Sequence, residues 1–296
     1  MLKRTLLFSN PVRIRSKDEQ MVVQLEAETK QIPIEDIGFV VLDNAEIYIS
    51  TTTIEKCLQH NVAIIYCDSK HLPCGMLLNL QANTLQQERF EAQIQASEPL
   101  KKQLWKQIVE AKIFNQGLLL EKLGQNAEAL FHKSKQVQSG DSSHQESQAA
   151  RIYWANLFPK ELDFYRTRTG TPPNNLLNYG YAIIRAAMAR ALAGAGLLAT
   201  LGLHHHNRYN AFCLADDMME PYRPWVDRAV WELVASGEDY ETIQKKHKAR
   251  LLSILAEDTD LKNENVPLMN AMQSSAVSLV KCFQGSSKKL VFPKIF

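Results

Sequence analysis

The chain has few cysteines and no long hydrophobic segment. Its five cysteines are an odd number, form no Cys-x-x-Cys pair and follow no signal peptide, so we expect free thiols in a reducing cytoplasm. The longest uncharged apolar stretch, residues 191–203, is shorter than the roughly 20 residues needed to span a bilayer. We therefore predict no membrane segment and a cytoplasmic location.

The sequence also lacks several common catalytic motifs and a strong net charge. It contains no glycine-rich phosphate loop, no nucleophile elbow and no internal repeat. With 45% hydrophobic and 22% charged residues, its composition is that of a globular protein, and its formal net charge is only +2. A nucleic-acid-binding surface would therefore depend on local clusters of basic residues.

The first 80 residues have the pattern of a β-rich domain with one short helix. The predicted strands are residues 6–8, 12–15, 21–25, 37–42, 47–49 and 62–66. The helix is expected to begin at residues 51–53, where a threonine hydroxyl can cap its free amides, and to end near Asn61. Residues 69–75, which contain Pro73, are predicted to form a turn.

From about Asn83 the apolar residues recur with the period of helices. Helices are predicted over residues 86–96, 98–123 and 176–199, and the small residues of the last one permit close packing of a neighbour. Residues 139–143 form a polar break that offers caps for a following helix, with Glu146 in its first turn. The predicted fold class is α+β. A small β-sandwich-like N-terminal domain (residues 1–80) precedes a larger all-α domain (residues 81–296).

Residues 202–224 contain the densest group of side chains suited to metal binding. Three consecutive histidines at 204–206 precede the acids Asp216, Asp217 and Glu220. On a helix Glu220 would share a face with Asp217 or with Asp216, and the spacing leaves both pairings open. Consecutive histidines cannot all point the same way, so at most two of them can face the acids. Together with Glu146, these residues could hold a divalent metal for phosphate chemistry.

Three motifs in the chain resemble those of the CRISPR-associated integrase family, Cas1, in its type II form and II-C subtype. They are Glu146-Ser147-Gln148-Ala149-Ala150-Arg151-Ile152-Tyr153, Gly202-Leu203-His204-His205 and Asp216-Asp217-Met218-Met219-Glu220-Pro221-Tyr222-Arg223-Pro224. The first departs from the family pattern at Ser147, where glycine is more common. Residues 104–116 and 175–181 resemble the family's first long helix and its central helix.

The resemblance implies a catalytic site in the helical domain. Glu146, His205 and Glu220 would be the catalytic residues and the ligands of Mg²⁺ or Mn²⁺, and Asp217 would support them. An imidazole among oxygen ligands shifts the preference from Mg²⁺ toward Mn²⁺.

The same resemblance implies that the chain joins the 3′-hydroxyl ends of captured DNA fragments to the repeat boundary of a CRISPR array by phosphodiester transesterification. The expected partners are double-stranded DNA, a second copy of the chain bound mainly through its N-terminal half, the small protein Cas2 and the type II effector nuclease. A fragment with two ends suits a two-fold assembly. The arginines expected to contact DNA are Arg151, Arg166, Arg168, Arg185 and Arg223.

Two other functions fit the same residues. In a general metal-dependent endonuclease or resolver of branched DNA, water would replace the 3′-hydroxyl as nucleophile, and the ligand set does not distinguish the two. In a non-catalytic DNA-bridging scaffold, the acids and histidines would form only a polar network. For such a scaffold, Glu220→Ala would disturb folding, and there would be no metal-dependent activity for it to remove.

Overall fold

In the computed structural model of the protein, the described residues are 3–25, 28–69, 71–167 and 169–295. The N-terminal region contains two four-stranded sheets. The strands are β1 (Arg4–Phe8), β2 (Val12–Lys17), β3 (Gln20–Gln24), β4 (Thr29–Pro33), β5 (Ile37–Leu42), β6 (Ile47–Ile49), β7 (Ala63–Cys67) and β8 (Pro73–Leu77). Helix α1 (Thr51–Gln59) lies between β6 and β7, and Ser50 caps it by accepting from Thr53 N.

The two sheets differ in topology but share one apolar core. The first sheet has the order β1-β5-β7-β8, with β1, β5 and β7 parallel and β8 antiparallel. The second has the order β4-β3-β2-β6. Apolar side chains from both sheets and from α1 fill the space between them, among them Ile14, Met21 and Cys57. This arrangement confirms the predicted β-sandwich-like region.

Strand β5 is buried on both faces. Val40 and Leu42 contribute to the core between the sheets, whereas Phe39 and Val41 belong to the core of the helical region. Because successive side chains of a strand point to opposite faces, one uninterrupted apolar run can serve both cores. The first sheet therefore packs directly against the helices.

The helical region follows the sheets. Its helices are α2 (Gln86–Ile94), α3 (Glu98–Lys122), α4 (Glu128–Gln136), α5 (Gln145–Leu157), α6 (Asn174–Gly194), α7 (Cys213–Met219), α8 (Arg223–Ala235), α9 (Lys245–Ser253) and α10 (Leu268–Phe283). An antiparallel hairpin, β9 (Asp258–Leu261) with β10 (Glu264–Pro267), interrupts them. The fold class is confirmed, but this hairpin means that the second region is not entirely α-helical. Within the described ranges, no helix is long and apolar enough to cross a membrane.

In the N-terminal region, two strands differ from the sequence-based expectation. Pro73–Leu77 forms β8 rather than part of a turn, because a proline that begins an edge strand costs no internal hydrogen bond. Strand β4 was not predicted, because its residues are mostly polar and exposed and it pairs only with β3 at the sheet edge. The five cysteines are free, as expected.

The long helix α6 packs closely against α8 at Gly180, a residue outside the group of small residues on which the prediction of close packing rested. A Cβ atom built at Gly180 would overlap Val226 Cγ1 and lie 3.3 Å from Leu251 Cδ2. Glycine at this position therefore allows the approach of α8 to α6. The predicted helix extends too far, however, because α6 ends at Gly194.

We expect Gly180→Ala to destabilise the protein. Alanine favours a helix by about 1 kcal/mol, but forced overpacking of a core costs about 1–3 kcal/mol. Urea unfolding should therefore show a net loss in the free energy of unfolding. Gly75→Ala is the matched control, because its Cβ would meet no atom within 4 Å. Equal stability of the two variants would contradict the close packing of α6 and α8.

Candidate metal and DNA site

Glu146 is placed by the start of helix α5. Asp141 caps this helix: its Oδ1 accepts from Gln145 N (2.8 Å) and its Oδ2 accepts from Glu146 N (3.0 Å). Asp141 lies in the predicted polar break and satisfies two of the free amides of the helix end. Glu146 therefore occupies the first turn of a capped helix, as predicted, with its side chain partly exposed.

The carboxylate of Asp217 holds the loop that carries the histidines. Its Oδ2 accepts from Leu203 N (2.6 Å) and His204 N (2.9 Å), and its Oδ1 accepts from His205 N (3.3 Å). Asp217 is completely buried on α7. A Cβ atom at Gly202 would overlap His205 O and lie 3.0 Å from Asp217 Oδ2, so only glycine fits there. Both oxygens of the Asp217 carboxylate thus accept hydrogen bonds within the protein. Asp217 supports the site through this loop rather than facing the site.

Asp217 also fixes the ring of His205. The distance from His205 Nδ1 to Asp217 Oδ1 is 2.5 Å, and because an ionised carboxylate only accepts, Nδ1 donates. This tautomer leaves the lone pair of Nε2 available for a metal. Buried Trp105 packs edge-on against His205, with ring centroids 5.7 Å apart, and stacks on His204 at 4.3 Å. Trp105 therefore restricts the orientation of both rings.

Glu220 begins the 3-10 turn that joins α7 to α8. Helix α7 ends at Met219, a single 3-10 turn (Glu220–Tyr222) follows, and α8 begins at Arg223. The carbonyl of Pro221 accepts from Asn115 Nδ2 (2.9 Å), which also donates to Pro293 O (3.0 Å). The turn is therefore tied to α3 and to the C-terminal segment, which docks on its own helical region.

Lys112 of α3 connects the two glutamates. Its Nζ lies 2.6 Å from Glu146 Oε1 and 2.6 Å from Glu220 Oε2. The contact with Glu146 has hydrogen-bond geometry, whereas Glu220 Oε2 is a buried atom that accepts no hydrogen bond from the described residues. Glu220 Oε2 therefore lies against the ammonium as a close ion pair.

Neighbouring charges decide the ionisation of these groups. Burial alone would raise the pKa of Glu220, but Arg223 and Lys112 outweigh it and lower the pKa to about 2. Burial would lower the pKa of Lys112, yet Glu220 and Glu146 raise it above its ordinary value. The hydrogen bond to Asp217 raises the pKa of His205 against the opposing effect of burial, with smaller contributions from Glu220 and Glu146. The three predicted ligands therefore influence one another electrostatically.

The other acidic and histidine candidates lie outside this cluster. Asp216 is engaged by Arg185 Nε (2.6 Å) and by Asn210 Nδ2 (2.7 Å), so it does not face Glu220. Of the two pairings that the spacing left open, only Asp217 supports the cluster, through His205. His206 lines an adjoining cleft of about 530 Å³, together with His205, Lys101 and Arg208.

The predicted DNA-binding arginines have different environments. Arg151 is exposed on α5, and no described residue forms an ion pair with it. Arg166 is held by Asn174 Oδ1 (2.8 Å) and Asn178 Oδ1 (2.8 Å), and Arg185 pairs with Asp216. Arg223 pairs with Glu220 (2.8 Å) and lies over the ring of Tyr181. Arg168 lies outside the described residues.

No group of three histidine, cysteine, aspartate or glutamate side chains in the described part of the chain is arranged as a metal cluster. Lys112 lies between the glutamates instead. Sequence reasoning assigned no role to Lys112, Trp105 or Asn115, and it placed Asp141 only within a segment that offers caps. One signal could have indicated Lys112 and Asn115. Both are polar residues on the buried part of α3, and polar residues on an apolar face need partners.

Known proteins were compared with this chain. Residues 5–258 match the family model described as "CRISPR associated protein Cas1". The chain is 32% identical over its full length to the CRISPR-associated endonuclease Cas1 of Neisseria meningitidis serogroup C, covering 97% of that protein. The chain belongs to the Cas1 family.

Solved structures share the fold. A casposase bound to integration product has a TM-score of 0.79 at 19% identity, covering 98% of this chain and 92% of that one. A Cas6–RT–Cas1–Cas2 complex has a TM-score of 0.74 at 20% identity, covering 99% of this chain and 36% of the other. The predicted membership of the Cas1 family and the predicted architecture are thus confirmed.

We expect Asp217→Asn to lower the pKa of His205 in the metal-free protein, because the hydrogen bond to the carboxylate is the main cause of its elevation. An elevated pKa means that the His205–Asp217 interaction stabilises the fold below the ordinary histidine pKa and is weakened as pH rises through the elevated value. NMR titration of the imidazole measures the change.

Asp216→Asn is the control, because the adjacent Asp216 binds Arg185 rather than His205. This variant should leave the pKa of His205 near that of the wild type. An unchanged pKa in Asp217→Asn would contradict the proposed hydrogen bond.

Proposed function

We propose that this chain is a metal-dependent DNA integrase that joins DNA 3′-hydroxyl ends to a CRISPR repeat by transesterification. The observation that carries the proposal is the convergence of Glu146 and Glu220 on one cationic position beside His205. Two further findings support it: a relative named a CRISPR-associated endonuclease, and a related fold solved as a casposase with integration product.

The residues of the site fit a divalent cation. Two carboxylates and one imidazole nitrogen are donors that Mn²⁺ accepts readily and that Mg²⁺ tolerates. Glu220 Oε2 is a buried acceptor that faces only a positive charge. Glu146 and Glu220 would hold the cation through their carboxylates, and His205 through Nε2, while Asp217 fixes the imidazole.

The bound cation would polarise the phosphoryl oxygen and lower the pKa of the attacking hydroxyl. Within the chain, Asp217 and Trp105 keep the imidazole of His205 in one orientation, so little reorganisation is needed at the moment of reaction. Arg223 places a permanent positive charge beside Glu220, where it can pair with a DNA phosphate. The new phosphodiester bond forms from the 3′ oxygen as the bond to the departing oxygen breaks, and no protein side chain becomes covalently attached.

The proposed partners follow from this reaction. Double-stranded fragment and repeat DNA are its substrates, and two DNA ends call for two copies of the chain. The fold recurs in a complex that contains Cas2, which supports Cas2 as the small partner. A type II effector nuclease is the remaining proposed partner.

A strand-transfer assay tests the integrase function. Purified protein, with and without Cas2, is incubated with Mn²⁺, a labelled duplex with a free 3′-hydroxyl and a repeat-bearing plasmid. We expect Glu146→Gln, His205→Ala and Glu220→Gln each to reduce joined product by at least about 100-fold, because each removes one cation ligand. Product should also vanish when EDTA removes the metal.

The matched controls are His132→Ala and Glu128→Gln, two exposed positions on α4. They should retain joining. Cleavage without joining would instead identify a general endonuclease. Tight DNA binding with no metal-dependent product would identify a scaffold.

DNA binding provides a separate test through Arg151. Because Arg151 is exposed and carries no ion pair among the described residues, Arg151→Ala should weaken DNA binding. Loss of one phosphate contact should reduce the slope of log K against log salt concentration by about 0.9. Fluorescence anisotropy at several salt concentrations measures both quantities.

Lys262→Ala, which removes an exposed basic residue between β9 and β10, serves as the comparison. An unchanged salt slope in Arg151→Ala would show that this arginine does not contact phosphate.

A further inference from the structure

Lys112 lies in the stretch that resembles the family's first long helix, but that resemblance assigns it no role. It lies in the middle of the 25-residue helix α3, and its side chain is only 12% exposed. Its ammonium nitrogen is 2.6 Å from an oxygen of each of the two glutamates, Glu146 and Glu220. A cation bound by the same two oxygens would have to occupy the space in which this nitrogen lies.

The charges of the cluster balance without a metal. Glu146 and Glu220 supply two negative charges, and Lys112 and Arg223 supply two positive charges within ion-pair distance. Removal of one partner from a buried pair leaves an uncompensated charge, which is strongly destabilising. Lys112 therefore offsets the repulsion between two nearby carboxylates that are partly shielded from solvent.

A divalent cation would compete directly with this lysine. With Lys112 in place, two positive groups would share the same oxygens at contact distance, which is electrostatically unfavourable. The lysine side chain is a point charge on a flexible four-carbon stem, so its ammonium can leave by rotation of side-chain bonds while α3 stays in place. Arg223 can remain, because it binds the other oxygen of Glu220, Oε1.

We propose that Lys112 is a resident counter-ion that keeps Glu146 and Glu220 together in the metal-free protein and gives up its place when a divalent cation binds. The proposal rests on the proposed function, in which these glutamates are the ligands. It predicts that Lys112 stabilises the metal-free fold and, by the same interaction, weakens metal affinity. Metal entry would then be coupled to a single side-chain movement.

Metal binding and thermal unfolding, both independent of activity, test this role. The variant is Lys112→Met, which keeps the length of the side chain and removes its charge. The matched control is Lys106→Met on the same helix, because Lys106 forms a half-buried pair with a single carboxylate, Glu110, at 3.5 Å. Calorimetry with Mn²⁺ gives the Kd, and thermal unfolding with and without Mn²⁺ gives the Tm.

We expect Lys112→Met to have a lower Tm than the wild type without metal and a larger rise in Tm with Mn²⁺. Its Kd for Mn²⁺ should fall by at least about tenfold, because the competing charge is gone. Lys106→Met should match the wild type in all three quantities. If the wild type binds Mn²⁺ and Lys112→Met binds it with equal or weaker affinity, the inference is overturned and the proposed function is not. Absence of Mn²⁺ binding in every protein would overturn the proposed function and the inference with it.

If Lys112→Met does not fold, the wild-type protein still provides a test. Acetylation of lysines, followed by mass spectrometry, compares the reactivity of Lys112 with that of Lys106 before and after Mn²⁺ is added. A several-fold rise in the relative reactivity of Lys112 is expected, since its ammonium would leave the buried pair. An unchanged ratio in protein that has bound Mn²⁺ would overturn the inference.

Discussion

The buried carboxylate of Asp217 accepts hydrogen bonds from three backbone amides and from the imidazole of His205. The segment between α6 and α7 has no helix or strand among its described residues, so these bonds replace a regular framework. A buried charge without partners would cost several kcal/mol, and the loop amides need acceptors. Carboxylate and loop therefore stabilise each other, and the position of His205 depends on both.

Opposite charges organise the rest of the site. Glu220 is almost completely buried, yet it stays ionised because Arg223 and Lys112 lie beside it. Such an arrangement gives little net stability, because desolvation offsets much of the attraction between the charges. In the proposed function, such an arrangement would hold the ligands in place before a metal or DNA arrives.

The N-terminal sandwich also contributes to the geometry of the helical region. Strand β5 supplies side chains to both cores, and Arg190 of α6 donates to Asn61 O and lies over the ring of Phe39. Lys248 of α9 forms a buried ion pair with Asp43, just after β5. These contacts fix α6 relative to the first sheet. Because α7 and α8, the helices on either side of the Glu220 turn, pack on α6, the sheet indirectly supports the site.

Local patterns in the sequence determined the strands β5 and β7, the long helices α3 and α6 and the first-turn position of Glu146, because burial periodicity and capping residues act over a few positions. Edge strands β4 and β8 escaped prediction, because β4 is mostly polar and exposed and β8 begins with a proline. Short motifs likewise indicated Glu146, His205 and Glu220. The resemblance indicated Asp217 as a supporting acid, but only the tertiary structure decided that its partner is His205, that Asp216 pairs with Arg185 and that Lys112 joins the glutamates. Such contacts join residues from separate segments of the chain. Which residues pair therefore depends on how those segments pack.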